Sequence, residues 1–151
     1  MAETFNLTHE CVDDIPLLIG LAQHLHLPET LDRHLGNHGH HQGLSNGWLV
    51  TVWLAYILSE GDHRKSNVQD WAQHHQHTLE GLLHQPIRPV EFNDDRLGIA
   101  LRRLSPTAVW EGLEADLWHS TVAVYEVELT SVRLDSTTTW GYHTPTPDGL
   151  M

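Results

Sequence analysis

Residues 45–59 read Ser-Asn-Gly-Trp-Leu-Val-Thr-Val-Trp-Leu-Ala-Tyr-Ile-Leu-Ser, a segment that is apolar on almost every side of a helix. A helix without a polar face belongs in the middle of a core, where neighbouring helices cover it. Its longest apolar run, residues 48–58, is much shorter than the roughly 20 residues of a membrane span. The segment therefore predicts the central helix of a soluble domain, and Gly61 and Asp62 end that helix.

Helical periodicity continues on both sides of this segment. Capping residues, prolines and apolar spacing predict six helix starts, near Asp13, Pro28, Ser45, Ser66, Asn93 and Ser105. Gly36 ends the second helix, the fourth runs unbroken over residues 66–83, and the last extends to about residue 120. Five or six helices thus form a mainly α domain over residues 1–125. Five tryptophans fall on apolar helix faces and are predicted to lie in the core: Trp48, Trp53, Trp71, Trp110 and Trp118.

The sequence pattern changes after Tyr125. Between Val132 and Thr139, apolar and polar residues alternate and β-branched residues dominate, which predicts a strand. A turn rich in proline and glycine comes next, and the sequence ends at Met151. Because a strand needs partners, we expect residues 126–151 to be the beginning of a second, truncated domain.

Charge is unevenly distributed along the chain. The formal net charge is -12, from 8 Lys+Arg against 20 Asp+Glu, and there are 14 histidines. Residues 1–63 carry -7 and residues 106–151 carry -6, whereas residues 64–105, with six basic and five acidic groups, carry +1. This balance excludes a protein that coats nucleic acid through bulk electrostatics. It leaves residues 64–105 as the part of the chain that can accept a polyanion.

The cysteine content and the N-terminal sequence indicate the cellular compartment of the protein. The single cysteine, Cys11, cannot form an internal disulfide, and the acidic N-terminus lacks the apolar core of a secretory signal. Both features fit a reducing compartment, and we expect a cytoplasmic protein.

The residues between the third and fourth predicted helices suggest a nucleic-acid contact. The two helices and the turn at 61–65 can be interpreted as a helix-turn-helix whose recognition helix begins at Ser66. Five residues are candidates for contacts to phosphates or base edges: Arg64, Lys65, Asn67, Arg102 and Arg103. The alternative is a plain helical hairpin, because beyond Gln69 the second helix bears only acids and histidines among its charged and titratable residues.

Two groups of histidines are candidate metal ligands: His34, His38, His40 and His41, and on the fourth predicted helix His74, His75 and His77. The sequence has one cysteine and no H-E-x-x-H motif. We therefore favour solvated histidines, with His75 half-buried on a helix face, over a metal-binding protein.

Asp135 is the candidate for metal chemistry on the predicted strand, where Ser136 and three threonines come after it. Mg²⁺ prefers carboxylate oxygens and keeps several waters, so one or two acids suffice for each ion. From spacing alone, an ordinary polar residue near a strand end is the commoner explanation.

The segment Val132-Arg-Leu-Asp-Ser-Thr-Thr-Thr-Trp-Gly-Tyr, with Thr-Pro-Asp-Gly-Leu after it, resembles the start of the catalytic domain of bacterial insertion-sequence transposases of the DDE type. Upstream, three segments resemble the helical N-terminal domain of the same group: Trp53-Leu-Ala-Tyr-Ile-Leu-Ser-Glu-Gly-Asp-His-Arg, Val68-Gln-Asp-Trp and Phe92-Asn-Asp-Asp-Arg-Leu. The resemblance extends from about Leu17 to the end of the sequence, with the two parts in the expected order.

This resemblance implies an RNase H-like domain that holds two Mg²⁺ or Mn²⁺ ions with two Asp and one Glu, and that cleaves and transfers DNA strands at terminal inverted repeats. Asp135 corresponds to the first of these carboxylates, as a catalytic residue and metal ligand. The second Asp and the Glu are absent from this sequence. Since one carboxylate cannot position two metals, we expect this chain to bind no catalytic metal and to be inactive alone.

The resemblance also implies transposon-end DNA as a partner. We further expect full-length transposase or a second copy of the chain as a partner, and the short apolar run at 48–58 predicts no contact with a membrane. Two alternatives remain open. The chain is a stand-alone module that binds DNA or transposase and modulates transposition, or it is a non-functional remnant whose unpaired strand at 132–139 promotes association.

Overall fold

The computed structural model describes residues 9–36 and 43–130. These residues form seven α-helices and two short 3₁₀ turns, over Lys65–Asn67 and Pro89–Phe92. The α-helices are α1 (Ile15–His24), α2 (Leu27–Leu35), α3 (Asn46–Glu60), α4 (Val68–His74), α5 (Gln76–Leu83), α6 (Asp94–Leu104) and α7 (Thr107–Val124). The predicted mainly α fold is confirmed for this part of the chain.

Helix α3 lies at the centre of the domain, as predicted. The Ser45 hydroxyl caps it by accepting a hydrogen bond from the Trp48 N–H at 3.2 Å, and the helix packs against α1, α2, α4 and α6. Most of its apolar side chains are buried, including Leu49, Val52, Trp53, Ala55 and Tyr56. Leu54 and Leu58 remain partly exposed, so one edge of the central helix meets solvent.

Several predicted helix ends are confirmed. The Asn93 side chain caps α6 by accepting a hydrogen bond from the Arg96 N–H at 2.8 Å, and two aspartates occupy the first turn. Pro28 lies in the first turn of α2, and Gly36 ends that helix. Helix α1 begins at Ile15, close to the predicted start near Asp13, and ends at His24. His26 adopts a left-handed backbone conformation with φ of 54° between α1 and α2.

The unbroken helix predicted over residues 66–83 is wrong. Regular α-helix begins at Val68, and the chain breaks at His75 to give α4 and α5. The Glu10 carboxylate accepts hydrogen bonds from the N–H groups of His77 and Thr78, at 2.9 and 2.8 Å. A distant residue thus caps the start of α5, and residues 9–36 and 43–130 form seven α-helices where five or six were predicted for residues 1–125.

Helix α7 also departs from the prediction. It begins at Thr107, two residues after the predicted start near Ser105, and it extends to Val124 instead of about residue 120. Trp110 and Trp118 are about half exposed, so the prediction that they lie in the core is wrong. Leu113 is the buried residue of this helix, where it packs against Leu31 of α2 and its neighbours.

Helices α2 and α3 approach each other closely at Gly47. A Cβ atom added at Gly47 would lie 1.9 Å from the backbone oxygen of Pro28. The Gly47 N–H also donates to the Asp32 carboxylate at 2.6 Å. Only a residue without a side chain fits between these two backbones.

A cluster of ion pairs around a buried carboxylate connects the start of α3 to α6. Glu91, which is 4% exposed, accepts hydrogen bonds from Arg96 at 2.6 Å, Arg88 at 2.7 Å and the Leu44 N–H at 2.8 Å. Arg96 also donates to the Leu44 carbonyl. Burial raises the pKa of Glu91, but the hydrogen bonds from Arg96, Arg88 and Leu44 outweigh burial and lower the pKa overall.

The predicted strand at 132–139 and Asp135 lie outside the described residues. Helix α7 ends at Val124, next to the predicted domain boundary at residue 125, and the second domain stays a prediction. Within the described residues, no helix combines the length and apolarity that crossing a membrane requires.

Candidate nucleic-acid interface at the α3–α4 turn

The turn between α3 and α4 is organised around the carboxylate of Asp62. Asp62 accepts hydrogen bonds from the Tyr56 hydroxyl at 2.7 Å, the Asn67 amide at 3.0 Å and the Arg64 guanidinium at 2.9 and 3.0 Å. It also accepts from the Arg64 N–H at 3.0 Å. The hydrogen bonds from Arg64 and then Tyr56 hold the pKa of Asp62 well below its usual range. The turn therefore has a fixed conformation and presents an oriented guanidinium.

A polar cleft of about 340 Å³ opens beside this carboxylate. Trp71 of α4 lines it and donates its indole N–H to Glu60 at 3.1 Å. Burial and the neighbouring Asp62 carboxylate raise the pKa of Tyr56 to about 12. The cleft thus contains two carboxylates and a neutral phenol beside the Arg64 guanidinium.

The pKa of Tyr56 leads to a testable pH dependence. The folded-state pKa of Tyr56 lies above its ordinary value of 10.0. The neutral phenol therefore contributes stability that is fully present below pH 10 and is lost as the pH rises toward 12. Asp62→Asn removes a neighbouring negative charge, so we expect the pKa of Tyr56 to fall toward 10 while remaining raised by burial. Ultraviolet titration of tyrosine ionisation measures this shift, and Tyr56→Phe assigns the transition. An identical transition in Asp62→Asn would contradict the assignment.

Lys65 and Arg102 converge at Gly98 on α6. A Cβ atom at Gly98 would lie 3.4 Å from the Lys65 Nζ and 3.7 Å from an Arg102 Nη. The Lys65 ammonium also pairs with Asp94 at 3.1 Å. Two cationic groups that are distant in sequence therefore share one surface, which a larger residue at Gly98 would crowd.

The five candidate DNA contacts do not form a single cluster. Arg64 and Asn67 meet at Asp62, and the Arg64 side chain remains 74% exposed. Lys65 and Arg102 meet at Gly98. Arg103 instead donates to the carbonyls of Leu35 and Gly36 at the end of α2, at 3.4 and 3.2 Å.

The helix-turn-helix interpretation has limited structural support. The helix after the turn, α4, has seven residues, and Val68, Trp71 and Ala72 are buried against the domain. The residues that would open the recognition helix form a 3₁₀ turn instead. A short helix with one buried face offers little surface to a DNA groove, so contacts to phosphates fit this geometry better than base readout.

The histidines have partners within the domain. His74 and His75 hydrogen-bond the carbonyls of Asp70 and Trp71, and His75 is half-buried, as predicted, with its ring 4.8 Å from that of Trp71. His34 contacts Asp116 of α7 at 2.9 Å. The remaining candidates of the first group, His38, His40 and His41, lie outside the described residues. In the part of the chain that the structure describes, no three His, Cys, Asp or Glu residues are arranged to hold a metal ion.

Sequence reasoning missed Tyr56 and Asp62 as members of this site. Asp62 comes directly after Gly61, which ends α3 in a left-handed conformation with φ of 63°. An aspartate after a helix end that accepts a hydrogen bond from the N–H two residues on is a common turn motif. This pattern predicts the local turn, whereas the contact with Tyr56 depends on the packing of α3.

The described residues define a small helical domain with a polar turn and two cationic groups close to Gly98. Residues 7–112 match the family described as a domain of unknown function, DUF4277, and the chain belongs to this family. The match extends from before α1 into the first turns of α7, so it includes the α3–α4 turn and Gly98. No curated protein and no solved structure gives a significant match to the chain.

Proposed function

We propose that this chain is the N-terminal part of a DDE transposase and that its helical domain contacts the DNA ends of the element. The observation that carries the DNA contact is the convergence of Lys65 and Arg102 at Gly98. Arg64, the neighbour of Lys65 in the chain, adds an exposed guanidinium at the α3–α4 turn. These cations lie in residues 64–105, the segment whose net charge is not negative.

The contacts expected at this surface are to phosphates. Asp62 and Asp94 pair with Arg64 and Lys65, so DNA must compete with these carboxylates and the net positive charge is small. We therefore expect weak binding by the isolated chain, with a salt dependence that reflects two or three phosphate contacts. Each such contact contributes a slope of about -0.9 to the logarithm of affinity against the logarithm of salt concentration.

The transposase proposal also concerns residues outside the described ranges. Its support is the resemblance at residues 132–142, which makes Asp135 the counterpart of the first metal-binding carboxylate. In the intact enzyme, Mg²⁺ or Mn²⁺ held there by three carboxylates would stabilise the attacking and leaving oxygens of strand transfer. Because this sequence holds one of the three, we expect cleavage to require residues that it does not contain.

DNA binding can be measured by fluorescence anisotropy with duplexes tiled across the DNA that flanks the coding sequence. We expect Lys65→Ala and Arg102→Ala each to weaken binding and to reduce the salt slope by about one. Arg33→Ala is the matched control, because Arg33 pairs with Asp116 on α7 and lies outside this surface. Affinity that is independent of salt, or equal losses in Arg33→Ala and Arg102→Ala, would contradict the proposed interface.

The alternative of a stand-alone module that modulates transposition predicts the same DNA contacts. The two proposals differ in whether catalytic residues lie beyond the helical domain, because a module needs none. The DNA sequence beyond codon 151 distinguishes them, because only the transposase proposal requires the second Asp and the Glu to be encoded there.

A further inference from the structure

Helix α7 presents a stripe of exposed aromatic side chains. Trp110 and Trp118 are 50% and 55% exposed, and Tyr125 directly after the helix is 51% exposed. At 100° per residue, the three side chains fall within about 80° of arc and extend over roughly 22 Å. Large aromatic residues aligned on one exposed helix face are a frequent mark of a protein-binding surface.

Contacts within the domain hold two of the three rings in place. The Trp110 indole N–H donates to Glu114 at 2.9 Å, and the Tyr125 ring meets the edge of His24 with centroids 6.2 Å apart. Because these two rings are already partly fixed, they lose less side-chain entropy when a partner binds.

The segment that carries the aromatic stripe is acidic. Residues 106–130 contain no Lys or Arg and five acids: Glu111, Glu114, Asp116, Glu126 and Glu128. Asp116 pairs with Arg33 and His34 of α2, on the side where α7 packs against the domain. The other four acids contribute a negative field around the stripe, and a bound partner must match it.

We propose that the aromatic stripe of α7, formed by Trp110, Trp118 and Tyr125, binds a cationic amphipathic helix of a partner protein. A partner helix with apolar residues on one face can lie along the stripe, while its Lys and Arg side chains flank the acids. A second copy of α7 would bring acids against acids, and DNA phosphates would be repelled. This inference does not depend on the DNA contacts proposed above.

Two labelled 18-residue model helices test the proposal. Both have leucine on one face, and their polar positions are all Lys in one and all Glu in the other. We expect the Leu/Lys helix to bind the full chain and the Leu/Glu helix not to bind, as measured by fluorescence anisotropy. Trp118→Ala and Trp110→Ala should each weaken binding by more than about tenfold, the loss typical of central aromatic anchors.

Leu17→Ala is the matched control, because Leu17 is a 73% exposed apolar residue on α1. It should leave peptide affinity unchanged, and circular dichroism should show that every variant is folded. Binding that depends on charge but is equal in wild type, Trp110→Ala and Trp118→Ala would overturn the proposal, because it would reflect the net charge of the chain alone. A concentration-dependent dimer that Trp118→Ala abolishes would also overturn it, by showing that a second copy covers the stripe.

Discussion

Glu91→Gln is expected to lower the free energy of unfolding by about 3 kcal/mol, since it leaves the largely buried Arg96 guanidinium without its counter-charge. Glu91 is 4% exposed, and Arg96, its partner at 2.6 Å, has a side chain that is 17% exposed. Glutamine keeps the shape and one acceptor oxygen but removes the charge. The loss should appear in urea unfolding as a lower midpoint with an unchanged slope.

The pH dependence separates the charge of Glu91 from a packing effect. The folded-state pKa of Glu91 is below its ordinary value of 4.5, so its contribution to stability is present above pH 4.5 and is lost as the pH falls through the folded-state pKa. The difference between wild type and Glu91→Gln should therefore shrink in acid. Glu111→Gln, at an exposed position on α7, controls for the loss of one charge and should change stability little. A difference that stays constant down to acidic pH would contradict the ionic explanation.

Gly47→Ala is expected to destabilise the domain by about 3 kcal/mol, at the upper end of typical overpacking effects. The added Cβ would lie 1.9 Å from the Pro28 oxygen and 2.8 Å from the Pro28 carbonyl carbon. Both atoms belong to the backbone of α2, so no side-chain rotation relieves the clash. Helix α2 would have to move away from α3 and lose the contact between Gly47 and Asp32.

Gly20→Ala is the matched control for this variant. Gly20 lies inside α1 with no atom within 4 Å of an added Cβ. The same substitution there should raise the free energy of unfolding by up to about 1 kcal/mol, because alanine favours the helix. Thermal unfolding of both variants measures the contrast. Equal shifts of the thermal unfolding midpoint in Gly47→Ala and Gly20→Ala would contradict the close approach of α2 and α3.

The parts of the fold that depend on local sequence could be predicted. The cap at Asn93, the proline in the first turn of α2 and the apolar character of α3 each act within a few residues. Their physical causes, which are capping and periodic burial, are visible in the sequence itself.

The parts that depend on distant contacts could not be predicted. Glu10 caps α5 from 67 residues away, so nothing in residues 66–83 alone reveals the break at His75. The contact of Leu44 with Glu91 spans 47 residues, and the sequence does not show that this carboxylate is buried. Trp118 fell on an apparent apolar face, but too few elements pack on α7 to cover it.

The candidate site shows the same division. Basic residues at Arg64, Lys65 and Arg102 are evident from composition and position. Their arrangement is not evident, because Lys65 and Arg102 are far apart in sequence and both approach Gly98, which has no side chain to keep them away. Arg103 follows Arg102 in sequence, yet it donates a hydrogen bond to the Gly36 carbonyl at the end of α2. The two side chains diverge because successive helical residues point about 100° apart.

The central proposal, that this chain is the front part of a DDE transposase, is tested most directly by the DNA sequence beyond codon 151, translated in all three frames. We expect one frame to encode a second aspartate at the end of a strand and a glutamate on a helix, the partners that Asp135 requires for two-metal chemistry. Terminal inverted repeats should enclose the whole region. If no frame encodes these two carboxylates, the transposase proposal and the metal-binding role of Asp135 are both contradicted.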